Sequence, residues 1–293
     1  LMQWHLFLAA FLIPTLASCA SDPKPPPQEP VEEEVLTLEP ANEWLVETDT
    51  NGQLVRLGER PADTKEDTSG STPTDYIVAG QCQKAEKAAR AILQNSPRDG
   101  NALAHLAAAL VLQGNYKLAA YYAGMKPAQG KKSAELYNLL GITTYLNGRY
   151  SANDRQAAQT FFQLAAKVSG NHTASTLNLA SLHLDGGRYR EALKAFRTVD
   201  NNCPVCIPAK LGMAICYQKL GDFKRAKAKL EEVIDYQPGN LTAMFALAMV
   251  FKDGFNDKDS ARDWLNELLA ISENQEEPSR LAPLAQKALD GLD

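Results

Sequence analysis

Five cysteines and four histidines are the side chains of this 293-residue chain best suited to chemistry. Cys203-Pro204-Val205-Cys206 is a CxxC, and thiols three apart in a turn lie within bridging distance. Three readings of the pair stand side by side. It is a structural disulfide of an oxidising compartment, a pair of reduced packing thiols, or a redox couple. The redox reading lacks the alternating strand and helix pattern that carries such couples. Haem attachment would place His at 207, where Ile207 stands, and zinc would need two further ligands nearby. No metal and no cofactor is therefore expected. Cys82 and Cys216 read as small buried apolar residues. His183 reads as a packing residue, in a column where Tyr217 stands one repeat later. No Gly-rich phosphate loop, nucleophile elbow or paired carboxylates appear, so catalysis is not expected and no small-molecule substrate is implied.

Cys19 has a different setting. Residues 6–18 read LFLAAFLIPTLAS. That apolar run is shorter than the roughly 20 residues needed to span a bilayer, and has the length of a signal-peptide core. It ends in Leu16-Ala17-Ser18-Cys19, a branched apolar residue, two small residues and a thiol. This resembles the lipobox of bacterial lipoproteins. The resemblance implies a signal peptide over 1–18, cleavage before Cys19 and lipid on its sulfur. Ala20, where an Asp would favour inner-membrane retention, leans the resemblance towards the periplasmic face of the outer membrane. Several acyl chains, at roughly 0.8 kcal/mol per buried CH₂, make such an anchor durable.

Residues 20–75 follow as a Pro-rich acidic tether, with 14 Asp/Glu against 4 Lys/Arg, a net of −10. The remainder carries 26 Lys/Arg and 21 Asp/Glu, so the whole-chain −5 hides a body of +5. That excess is too dilute over some 220 residues to argue for nucleic acid. Within the tether, Asn51-Gly52 separates two β-prone runs, predicting a small hairpin at about 45–57. A lone hairpin is marginal in water, so it needs the helical body or a partner to pack on.

The body repeats. Gly80, Gly114 and Gly148 are spaced by 34, as are Gly187 and Gly221; the step between the two sets is 39. Ala85, Ala119, Ala158, Ala192 and Ala226 fill one column, and Phe162, Phe196 and Leu230 follow four residues later. Pro97, Pro204 and Pro238 close three of the units. Glycine allows the chain to reverse between two antiparallel helices, the small Ala lets them approach, and the bulky residue fills the gap. This pattern resembles the tetratricopeptide repeat. The resemblance implies an all-α, right-handed solenoid over 76–293. Five units are expected over 100–133, 134–172, 173–206, 207–240 and 241–275, with a degenerate half-unit at about 74–99 and a cap helix at 279–291. Lys126-Pro127 should end its helix early, and the insertion Ser151–Arg155 should lengthen the loop after Tyr150.

In this family the first helix of each unit lines a concave groove. Carried over by position, the groove takes Val111 from the first unit and Asn138, Ile142 and Tyr145 from the second. Leu177 and Ser181 follow, then Leu211 and Ile215, then Phe245 and Met249. Ala104 and Ala108 stand where family members that clamp a terminal carboxylate place Lys and Asn, so that clamp is not implied. The mainly apolar face suits an amphipathic helix or an extended apolar segment. The same residues can equally pack against neighbouring first helices or be covered by the hairpin. Asn138 and Asn178 are candidates to bond a ligand backbone. Lipid anchor, tether and repeats together resemble gliding-motility lipoproteins and the pilotins of type IV pili. Pilotins usually begin their repeats soon after the lipid, and the tether of about 55 residues moves the reading towards gliding motility or a general envelope scaffold. The expected partners are motility-complex proteins or secretin subunits. A thiol-disulfide enzyme acting through Cys203 and Cys206 is the alternative from another class.

Overall fold

Four of the helix-to-helix reversals in the repeat are built from one hydrogen-bonded motif. At Gly187 the glycine N–H donates to Leu184 and the Arg188 N–H reaches back to His183, at 2.9 and 2.8 Å. Gly80, Gly114 and Gly221 close their turns with the same two bonds. All four glycines sit at φ between 68° and 78°, where an L side chain is strained. This is why glycine recurs every 34 residues.

The computed structural model describes residues 45–47, 54–56, 72–148, 151–170, 172–273 and 279–292. The lipobox, most of the tether and the Asn51-Gly52 turn lie outside them. Six helical hairpins follow in order. They are α1 (Pro73–Val78) with α2 (Cys82–Asn95), α3 (Gly100–Leu112) with α4 (Tyr116–Gly124), and α5 (Ala134–Asn147) with α6 (Ala152–Ser169). Then come α7 (Thr173–Asp185) with α8 (Tyr189–Asn202), α9 (Ile207–Lys219) with α10 (Phe223–Tyr236), and α11 (Leu241–Val250) with α12 (Lys258–Glu273). Helix α13 (Leu281–Asp290) ends the chain as the expected cap, burying Ala285 and Ala288. The fold is the tetratricopeptide-type arrangement of repeated helical hairpins. Two compact units divide at Asn178/Leu179, inside α7. Among the described residues, no helix is long and apolar enough to cross a membrane.

The columns have the expected mechanical roles. Ala85, Ala119, Ala158, Ala192 and Ala226 are fully buried. Phe162 presses on a glycine of its own unit's first helix, and Phe196 on one in the first helix of the next unit. A Cβ on Gly141 would lie 2.6 Å from Phe162 Cδ1, and one on Gly212 would lie 2.5 Å from Phe196 Cε1. The residues before Pro97, Pro204 and Pro238 share one extended conformation, φ near −139° and ψ near 80°, that proline imposes on its predecessor. Three of the first helices start on side-chain caps: Asp99 accepts from Ala102 N, Ser133 from Leu136 N, and Asn240 from Ala243 N.

The degenerate unit at 74–99 has only a short first helix, which Thr72 and Asp75 start at Pro73 with a capping box. One expectation needs correction. The insertion Ser151–Arg155 lengthens a helix instead of a loop: α6 has 18 residues where α8 and α10 have 14. Ser151 caps α6 and its hydroxyl bonds the Asp154 carboxylate, so the added residues wind into helix at once. That carboxylate lies where a Cβ on Gly148 would stand, and Gly148 keeps φ at −81°. Helix α4 stops at Gly124, as Pro127 requires. Strands β1 (Leu45–Glu47) and β2 (Leu54–Arg56) pair antiparallel with Val46 opposite Val55, within the expected 45–57 hairpin.

Candidate protein-interaction surface

The expected groove residues all lie on first helices. In the N-terminal unit, Val111 on α3, Asn138, Ile142 and Tyr145 on α5, and Leu177 on α7 are all at most 2% exposed. Asn138 and Asn178 do not stand open to a ligand. The Asn178 Nδ2 donates to Asn138 Oδ1 at 2.8 Å, joining α5 to α7, and each asparagine has a further interaction besides. The backbone of β1 lies within 8 Å of α5. In the C-terminal unit, Ser181, Leu211, Ile215, Phe245 and Met249 are buried too, with Ser181 the most accessible at 9%. Lys219 and Leu220, one turn beyond Ile215, are exposed.

Sequence columns reveal which helix face a residue occupies, not how closely the neighbouring helix approaches. That is why residues assigned to a groove are here also packing residues.

A charged cluster in the C-terminal unit escaped the sequence reading. The Lys210 ammonium, with its side chain only 5% exposed, pairs with Asp200 at 2.9 Å and Glu232 at 2.7 Å. Lys229 pairs with the same two carboxylates at 3.4 and 2.8 Å, and Lys210 also lies over the Tyr236 ring. Burial alone would raise the Glu232 pKa, but hydrogen bonds from Lys210 and Lys229 outweigh it and hold the carboxyl below its usual range. Two cations and two anions, drawn from α8, α9 and α10, thus balance across three helices. A single Lys inside the apolar run 207–217 was the signal that an internal partner had to exist.

Cys203 and Cys206 are free thiols in this structure, as are Cys82 and Cys216. The bridge is not formed. The turn is closed instead by the Cys206 N–H on the Cys203 carbonyl at 3.0 Å. Burial pushes the Cys206 thiol up to about 11 and the Cys216 thiol up to about 12, the opposite of a thiol tuned for attack. His183 is buried in α7 as a packing residue. His172 caps α7, its Nδ1 accepting from Ser175 N at 3.1 Å, and His105 Nε2 meets Thr74 Oγ1 at 3.0 Å. Burial lowers all three imidazole pKa values.

Comparison with known proteins agrees with this geometry. The tetratricopeptide repeat profile matches residues 74–132 and 211–276. The CTR9 homolog of Arabidopsis thaliana is 27% identical over 90 residues, which is 30% of this chain and 8% of that protein's length. The Cut9 and Hcn1 hetero-tetramer of the APC/C superposes with a TM-score of 0.60 at 17% identity, over 75% of this chain and 41% of that one. PilF of Pseudomonas aeruginosa gives 0.60 at 18% identity, over 75% of this chain and 94% of that one. At such identities the superpositions carry the fold alone.

Proposed function

We propose that this protein is a lipid-anchored adaptor of a bacterial envelope machine, binding other proteins through its first-helix faces and performing no catalysis. The observation that carries the adaptor reading is the repetition itself. Hairpin after hairpin repeats mostly apolar first-helix positions, a pattern suited to binding peptide segments and unlike a closed pocket. The anchor rests on Leu16-Ala17-Ser18-Cys19 after an apolar run. Between Cys19 and the hairpin at Leu45 the chain can reach at most about 90 Å, enough to hold the repeats away from the membrane surface. Gliding motility or a related envelope complex is the machine favoured by that reach. A pilotin-like role for a type IV pilus secretin is the second reading, favoured by the PilF superposition, which spans nearly all of that chain.

Feeding cells a clickable fatty acid tests the anchor. The protein should take up label and fractionate with outer membrane, whereas Cys19→Ala should take up none and be released. Unlabelled wild-type protein would end the anchored reading. Deletion then separates the machines: loss of secretin multimers supports the pilotin role, and loss of surface gliding with secretin intact supports the motility role.

A further inference from the structure

Cys203-Pro204-Val205-Cys206 takes no part in the adaptor role, yet its two thiols are held together. Cys203 is the C-cap of α8 and Cys206 the N-cap of α9. The Cys206 N–H donates to the Cys203 carbonyl at 3.0 Å, closing a four-residue turn around Pro204 and Val205. A turn of this kind holds its end Cα atoms within about 7 Å of each other, and disulfides span Cα separations of about 4.4–6.8 Å. The Cys203 side chain lies beside the Cys206 thiol as a hydrogen-bonding neighbour. Both flanks of the turn are pinned. The Lys210 N–H reaches back to the Cys206 carbonyl at 3.2 Å, and the Lys210 ammonium holds Asp200 of α8 at 2.9 Å. A turn fixed on both sides keeps the sulfurs together at little further loss of entropy. The two sulfurs differ in access. Cys203 is half-buried beside Val205, which is 61% exposed, whereas Cys206 is only 6% exposed.

We propose that Cys203 and Cys206 form a redox site that closes into a bridge by exchange with an outside disulfide, stapling the joint between α8 and α9. The Cys203 thiolate attacks one sulfur of the incoming disulfide, breaks its S–S bond and releases one thiolate. The Cys206 thiol gives its proton to solvent, and its sulfur then attacks Cys203 and expels the second thiolate. One outside disulfide is reduced to two thiols, and the two protein thiols are oxidised to one bridge. Access sets this order, because the buried sulfur is reached only from its neighbour. Burial pushes the Cys206 thiol up to about 11, so closing is the slower of the two steps. Closure fixes the entry to α9, the helix that carries Leu211 and Ile215. The site depends neither on the lipid anchor nor on a partner.

Glutathione redox buffers test it on the full chain. Trypsin releases residues 198–210, which hold Cys203 and Cys206 and none of the other cysteines. After equilibration, acid quenching and alkylation, this peptide should be lighter by two hydrogens and carry no alkyl group, while Cys82 and Cys216 stay reduced. At fixed reduced glutathione, the folded chain should close the bridge at a glutathione disulfide concentration at least about tenfold lower than the chain in urea. Cys206→Ser should trap one glutathione on Cys203, and Cys203→Ser should leave Cys206 reduced. The proposal is overturned if the folded chain keeps both thiols under conditions where the chain in urea closes, or if the two close equally readily. It is also overturned if glutathione settles on Cys206 of Cys203→Ser as readily as on Cys203 of Cys206→Ser. The wild-type comparison decides the matter even where a serine variant fails to fold.

Discussion

Gly212→Ala is the most informative single substitution in the helical body. Gly212 lies inside α9, where alanine has the better helix propensity by about 1 kcal/mol, so local preference alone favours the change. Packing opposes it. The new methyl carbon would stand 2.5 Å from Phe196 Cε1 and 2.6 Å from Cε2, against a comfortable separation of about 3.5–4.0 Å. The ring must retreat by about 1 Å, and Phe196 is only 3% exposed. Overpacking of this kind costs about 1–3 kcal/mol. We expect a net loss of up to about 2 kcal/mol, and a loss of about 1–3 kcal/mol relative to a glycine-to-alanine change that meets no neighbour, which for a body of this size lowers Tm by up to roughly 8 °C. Urea and thermal denaturation followed by circular dichroism read it directly. Phe196→Leu should recover part of the loss in the double mutant, giving a coupling energy between the two sites. Gly124→Ala, with nothing within 4 Å of its would-be Cβ, is the control and should be neutral or slightly stabilising. If Gly212→Ala matched the control, the close approach of α8 and α9 through this glycine would be refuted.

Other outcomes follow from the charged cluster, the histidines and the thiols. Lys210→Met should cost about 1–3 kcal/mol in urea denaturation, because Asp200 and Glu232 lose their best-buried partner; an unchanged midpoint would make Lys229 sufficient alone. With His105, His172 and His183 depressed by burial, the folded chain binds fewer protons than the unfolded one near pH 6. Their contribution to stability is complete above pH 6.5 and is lost as pH falls through the depressed values, so the urea midpoint should drop between pH 7 and 5. This window lies above that of Glu86 and Glu232, which are lowered from 4.5. Iodoacetamide at pH 8 should modify half-buried Cys203 ahead of buried Cys206 and Cys216, as mass spectrometry would show; labelling of Cys216 first would contradict the burial that raises its thiol pKa.

The repeat was legible because its causes are local. A reversal that needs φ > 0 demands glycine, and an interhelical gap demands a small residue opposite a large one, so Gly187, Ala192 and Phe196 announce their hairpin without any tertiary knowledge. Pro127 ended α4 for the same kind of reason. The insertion at Ser151–Arg155 was misread because loop and helix differ there only through a Ser151–Asp154 cap. Spacing does not weigh that cap. The candidate groove was legible as a set of positions but not as a surface. Exposure at Ile142 or Asn138 depends on neighbours far away in the chain, such as Asn178. The Lys210 cluster was invisible for a related reason, since its carboxylates come from two other helices at separations of 10 and 22 residues.

The adaptor role is tested most directly by site-specific photocrosslinking in native membranes. A benzophenone amino acid is placed at Ser181 or Lys219 on first helices, or at exposed Arg190 or Lys224 on second helices. The same discrete partner adduct should form from Ser181 and Lys219 and be absent from Arg190 and Lys224. Adducts that arise only from the second-helix positions, or from none of the four, would contradict recognition through the first-helix face.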